Sequence, residues 1–232
     1  ETRYRVVRIQ GTDTVADDEV YTTTYLFSEL TPNTDYKVEV YSVCDGVPSQ
    51  NCATAMFRTA CVADGVPFFE GFEDSISSCW EAATDASSSW YQWNVGTGGS
   101  HSGLHHVSVS AEYDPTLTTN VFDFSDLADG AVLDFWYRLP AEEDWWTYEE
   151  VNATLTVLYR TSSSDSWDTA AIFNAATDGR QWANSGDVVL PNSAGAAWYQ
   201  IRFAGTDEGY IYLDDISVFP QSGCLRPTDL SV

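Results

Sequence analysis

Lysine is nearly absent from this chain. Lys37 stands alone, and the ten Lys and Arg together face 35 Asp and Glu, for a formal charge of −25 at pH 7. Nucleic acids and anionic membranes both need a basic surface, so neither is a partner, and direct membrane insertion is excluded as well. No apolar run approaches the roughly 18 residues of a membrane-spanning helix. The opening "ETRYRVVRIQ" is no signal peptide, so any signal is expected outside this fragment. A CxxC pair is also missing. Cys44, Cys52, Cys61, Cys79 and Cys224 lack the spacing of zinc or thioredoxin-like sites, which leaves disulfides in an oxidising compartment as the better reading. Five is odd, so one thiol is unpaired or finds a partner elsewhere. With serine- and threonine-rich strands, the chain reads as secreted or attached to a cell surface.

What is present is strand pattern. Across 232 residues, 44% of them hydrophobic, there is material for at least one sizeable core. Residues 1 to 60 alternate in "RYRVVRI", "TTYLFSEL", "DYKVEVYSV" and "TAMFRT", parted by the turn-prone "GTD", "TPNTD" and "DGVPSQN". Residues 66 to 220 continue with "VLDFWYR", "NATLTVLYR", "WYQIRFA" and "YIYLDDISVF". No helical period of useful length appears, and the fold class is all-β, built from antiparallel sandwiches.

One strand breaks its own rule. In "YIYLDDISVF", Ile211 and Leu213 share one face while Ile216 and Val218 share the other, because side chains alternate with period two. The apolar parity switches across Asp214 and Asp215, and a switch of that kind predicts a bulge.

Two family resemblances follow from the residues. Leu30, Pro32, Thr34 and Tyr36 in "LTPNTDYKVEVYSV" resemble the turn and tyrosine corner of a fibronectin type III module, in which the Tyr hydroxyl bonds back to nearby backbone. Only strands C to G are covered, so residues 1–61 are expected to form a partial module. "CLRPTDLSV" from Cys224 resembles the first strand of another, over 224–232. Between them, "FFEGFED", "SCW", "LTTNVFDFSDLADGAVLDFWYRLP", "ATLTVLYR", "WYQIRFAG" and "YIYLDDISV" are together similar to a MAM-type or cleaved-adhesin jelly roll over 62–223. That family occurs in extracellular adhesive proteins, and its bacterial, Bacteroidetes-like members alternate with fibronectin type III modules. MAM domains carry a cysteine pair around the first strand, which implies Cys61 with Cys79; Cys61 with Cys224 is the competing pair. Cys44 and Cys52 bracket a short loop between adjacent strands and are expected to pair with each other.

The jelly-roll resemblance gives the aspartates a task. First and last strands of such folds lie side by side, which sets Glu70, Glu73 and Asp74 opposite Asp214 and Asp215. Carboxylates crowded this way repel one another, and a hard cation relieves the repulsion. The resemblance implies a structural calcium ion here, with the "GGSHSG" loop, Gly98 to Gly103, adding a carbonyl or hydroxyl. The bland alternative is a set of solvated acids in an acid-rich chain.

Catalysis has little support. Ser100, His101, His105 and His106 come with no GxSxG elbow, no third orienting group and no zinc motif. "EEDWWTYEE" offers Trp145, Trp146 and Tyr148 as a ligand platform, since aromatic faces stack on sugar rings, against the alternative that one Trp caps the core. Trp90, Trp93 and Trp198 are expected in the core. The sequence therefore predicts a noncatalytic adhesive segment whose partners are a host protein or glycan and the other domains of its own chain. The alternative is a carbohydrate-binding module appended to a secreted hydrolase.

Overall fold

The structure, a computed structural model, describes residues 3–143, 150–174 and 181–221. It divides into two compact units, Glu1–Val62 and Ala63–Val232. Among the described residues no helix is long and apolar enough to cross a membrane.

Unit 1 is a single antiparallel sheet. Its strands are β1 (Arg3–Gln10), β2 (Asp13–Val20), β3 (Asp35–Cys44), β4 (Val47–Pro48) and β5 (Ala53–Arg58). The order is β2-β1-β3, with β4 and β5 both on the free side of β3. Asp45 and Gly46 both have positive φ, the signature of the tight hairpin that a DG pair favours, and they fold β4 back onto β3. Tyr36 is buried, and its hydroxyl accepts the Thr31 N–H at 2.9 Å, pinning the chain entering β3. One face carries a groove of about 320 Å³ lined by Val6, Val20, Tyr25, Phe27, Val38 and Val40, among others.

The register corrects one pairing. Cys44 and Cys52 are free and exposed. Ala53 stands opposite Val40, so Cys52 is level with Tyr41, three residues along β3 from Cys44. At about 3.4 Å per residue that is roughly 10 Å, beyond the Cα separation of about 7 Å that a disulfide spans. Cys52 instead lies by the Tyr41 hydroxyl, which hydrogen bonds to Glu39 and to Cys52 push up to about 12. Cys61 and Cys79 are disulfide-bonded. Cys224 and the whole of 224–232 lie outside the described residues.

Unit 2 begins with β6 (Phe68–Glu70), β7 (Glu81–Ala83), β8 (Asn94–Thr97), β9 (His105–Ser110), β10 (Thr116–Thr118) and β11 (Ala131–Arg138). It continues with β12 (Glu142–Glu143), β13 (Glu150–Val151), β14 (Thr154–Arg160), β15 (Asp168–Phe173), β16 (Ala183–Asn184), β17 (Val188–Val189), β18 (Gln200–Thr206) and β19 (Tyr210–Pro220). One sheet runs β15-β14-β18-β10-β7. The other runs β16-β11-β19-β9-β8, with β17 also on β11 and β6 also on β19. Every pairing in both sheets is antiparallel.

Alternation decides what lies between these sheets. Leu155, Val157 and Tyr159 of β14 and Ile201 and Phe203 of β18 point inward from the first sheet. Leu133 and Phe135 of β11 and Ile211, Leu213, Ile216 and Val218 of β19 point inward from the second. Phe135 and Phe203 meet edge to face at 5.2 Å between ring centres. Trp93 joins this core, as expected, but Trp90 and Trp198 do not: Trp90 is 86% exposed in a short 3-10 turn, Ser89–Tyr91, and Trp198 is half-buried beside Arg160 just before β18.

Candidate functional site

The parity switch in β19 is a bulge. Asp134 pairs with Ser217 and Trp136 with Asp214, so Asp215 and Ile216 together oppose Phe135. Asp215 takes a left-handed backbone, φ 49°. On the other side of β19 the neighbour changes at the same point: β9 pairs with Tyr210 through Leu213, and β6 with Ile216 through Val218. The extra residue resets the alternation, so all four apolar side chains face one core and the two aspartates occupy the handover.

Loop 98–103 caps that handover. Asp214 is fully buried; its Oδ2 accepts the N–H groups of His101 at 2.8 Å and Ser102 at 3.3 Å, and its Oδ1 accepts the N–H of Asp215 at 2.8 Å. Asp215 meets the His101 imidazole at 2.5 Å and accepts the Ser102 hydroxyl at 2.7 Å. Burial, then the neighbouring Asp215 charge, holds the Asp214 carboxyl above the usual range.

The other acids take separate places. Glu73 accepts the Leu104 N–H through both carboxylate oxygens at 3.0 Å, which with the His105 N–H lowers its pKa. Gly103, with φ 54°, makes that approach feasible, since any side chain there would collide with the Glu73 carboxylate. Glu70 stands opposite Ile216, accepts the Phe72 N–H at 2.7 Å and is pushed up by burial. Asp74 is exposed. Among the described residues no three His, Cys, Asp or Glu side chains gather closely enough to hold a metal ion.

Beside the aspartates lies a row of rings that sequence reasoning left unconnected. Trp136 and Arg138 of β11 and Tyr212 of β19 project from the outer face of the second sheet, and His101 lies flat on Trp136 at 3.6 Å. Trp182 donates its indole N–H to Gly99 O at 2.8 Å and sits edge-on to His101 and His106. The Arg138 guanidinium lies 4.1 Å from the Tyr212 ring centre and 5.3 Å from that of Trp182, with its Nε buried and unpartnered. His106 is buried, and burial followed by Arg138 lowers its pKa, favouring the neutral ring. The only earlier signal was period two, which sets Trp136 and Arg138 on one face of β11. Trp145, Trp146 and Tyr148, the sequence-based platform, lie outside the described residues.

Among solved structures, the chain is similar to two cleaved adhesin domains of Lys-gingipain from Porphyromonas gingivalis. The K3 domain is 18% identical at TM-score 0.50, covering 66% of this chain and 98% of that one. The K1 domain is 19% identical at TM-score 0.50, covering 68% and 100%. A xylan-binding domain from Paenibacillus barcinonensis is 12% identical at TM-score 0.44, covering 70% and 100%. No protein-family model and no curated protein matches the chain. The likeness to the two adhesin domains places the fold: an antiparallel β-sandwich of the kind they share.

Proposed function

We propose that the chain is a noncatalytic adhesive segment of a secreted or surface-attached multidomain protein, and that unit 2 binds glycans on the outer face of its second sheet. The observation that carries this reading is the row of Trp182, Arg138 and Tyr212, half-buried rings and a guanidinium with an unpartnered Nε. Rings of this kind stack on sugars, and an oriented guanidinium donates N–H hydrogen bonds to hydroxyl oxygens. A disulfide at Cys61 and Cys79 suits an oxidising compartment. The tyrosine corner of unit 1 suits a fibronectin type III module. A neutral-glycan array probed with the whole chain tests the reading. Retained glycans should bind about tenfold more weakly to Trp182→Ala, and an array on which both chains show the same weak background would refute it.

We also propose that the aspartate corner takes calcium, held by Asp214 and Asp215, with Glu73 leaving its Leu104 and His105 N–H contacts to complete the site. What supports this is the pair of adjacent, nearly buried carboxylates, with the Ser102 hydroxyl oxygen of the capping loop already against Asp215. Calcium that binds the folded state raises stability by about 2.7 kcal/mol at a hundredfold excess over Kd. Melting curves in calcium and in chelator should differ for the parent and coincide for the Asp214→Asn, Asp215→Asn pair. Coincident curves for the parent would end the proposal.

A further inference from the structure

The first sheet carries a second aromatic and basic surface on its own outer face, separate from the one above and independent of that reading. Arg202 of β18 projects outward between the inward-pointing Ile201 and Phe203, and Arg160, the last residue of β14, follows the inward-pointing Tyr159 onto the same outer face. Their guanidinium carbons lie 4.5 Å and 4.1 Å from the ring centre of one tryptophan, Trp167, and Arg160 lies 5.4 Å from that of Trp198. Two cations sharing one indole repel each other. An acidic chain could relieve this cheaply with a nearby Asp or Glu, yet no ion pair within 4.0 Å joins either arginine among the described residues.

Polar neighbours hold the two side chains instead. Arg160 donates from Nε and Nη2 to the Gln200 side-chain oxygen at 3.0 and 2.6 Å, and from Nη1 to Ser163 O at 3.1 Å. Arg202 donates only its Nε, to the buried Thr118 hydroxyl at 2.8 Å. Its two terminal nitrogens have no partner among the described residues. Burial and the Arg160 charge lower the Arg202 pKa, against the pull of Glu81, as expected of a cation short of compensating charge. Arg202 is thus oriented by Thr118 and Trp167 with its two-pronged end free, the arrangement that receives a planar carboxylate through two parallel hydrogen bonds.

We propose that Trp167, Arg160 and Arg202 form a binding site for a carboxylate-bearing sugar, a uronic acid residue of an acidic glycan. The carboxylate takes the free end of Arg202, Arg160 adds its charge, and the exposed part of the Trp167 and Trp198 rings takes the sugar face. The net charge of −25 opposes approach of an anion at low salt. At 0.15 M salt the screening length is about 8 Å, so distant acids fade while the contacts with Arg202 persist.

The test is calorimetric titration of the whole chain with trigalacturonate at 0.15 M salt, with its methyl ester as the neutral probe. The parent should bind trigalacturonate and bind the ester at least about tenfold more weakly, the discrimination expected for a charge-assisted pair. Arg202→Gln should lose about tenfold or more, and Arg5→Gln, at an exposed ion pair of unit 1, should bind like the parent. Because Arg202 also holds Thr118, a readout without substitution accompanies these: trigalacturonate should slow phenylglyoxal modification of Arg202 in the unmodified protein, and the ester should not. No binding of trigalacturonate, equal binding of the ester, or unprotected Arg202 would each overturn the proposal.

Discussion

The two units differ in how most of their few cations are used, with Arg8 of unit 1, in no ion pair among the described residues and lying over Phe27 and Tyr36, as the exception. In unit 1, Arg3 pairs with Glu19, Arg5 with Asp17, Lys37 with Glu39 and Arg58 with Asp35, at 2.9, 2.5, 2.7 and 3.3 Å. In unit 2, Arg138, Arg160 and Arg202 lie over aromatic rings and none is joined to an acid among the described residues. The difference follows from what holds each unit together. A lone sheet has a thin apolar face, and charge ladders across β1 and β2 help fix its register. A sandwich encloses its own core, so its cohesion rests on that core rather than on ion pairs, and its arginines bond to neutral partners such as Gln200 and Thr118.

The sharpest way to break that comparison is to separate the units. Residues 1–62 alone should show no sharp thermal transition as a monomer, because the unit has one sheet and no second one to pack on its grooved face. A cooperative monomeric melt would show that the sheet needs no second layer. Within unit 2 the core should dominate: Phe203→Ala, removing a fully buried ring packed on Phe135, should cost about 3 to 5 kcal/mol in chemical denaturation. Replacing Cys61 and Cys79 by alanine should cost roughly 3 kcal/mol, as for a closed loop of about this length.

A smaller effect is set by pH. Burial raises the Asp64 pKa above its unfolded value, so the native state binds the proton more tightly. Its stabilising contribution is present in full below the unfolded pKa and is lost as pH rises through the folded pKa. Asp64→Asn should remove that slope from a stability profile taken across the acid range, and an unchanged slope would assign it to other acids. Smallest of all, Arg5→Gln should shift the melting temperature of the whole chain very little, and less still at high salt, because the Arg5 and Asp17 pair is exposed and screened.

How much of this was legible in the sequence depends on the range of each interaction. The β19 bulge was readable because alternation is local: Ile211 and Leu213 fall out of phase with Ile216 and Val218 within eight residues. The ladder partners were not. Whether Cys44 can reach Cys52 turns on the register of β3 with β5, and three residues of slip decide it. Trp90 was misplaced because a 3-10 turn interrupts an apparently strand-like stretch. The ring clusters were hidden for the same reason as the ladders, since Trp182 approaches His101 and Arg138, and Trp167 approaches Arg202, only once strands distant in sequence are set side by side.

The central claim is that unit 2 keeps its arginines and tryptophans for sugars on two outer faces. It is tested most directly by one array carrying neutral and uronate-containing glycans, probed with the parent, Trp182→Ala and Trp167→Ala chains. The account predicts that Trp182→Ala loses neutral glycans and keeps the uronates, while Trp167→Ala does the reverse. Parent and variants with the same pattern, or a parent that retains no glycan, would contradict it.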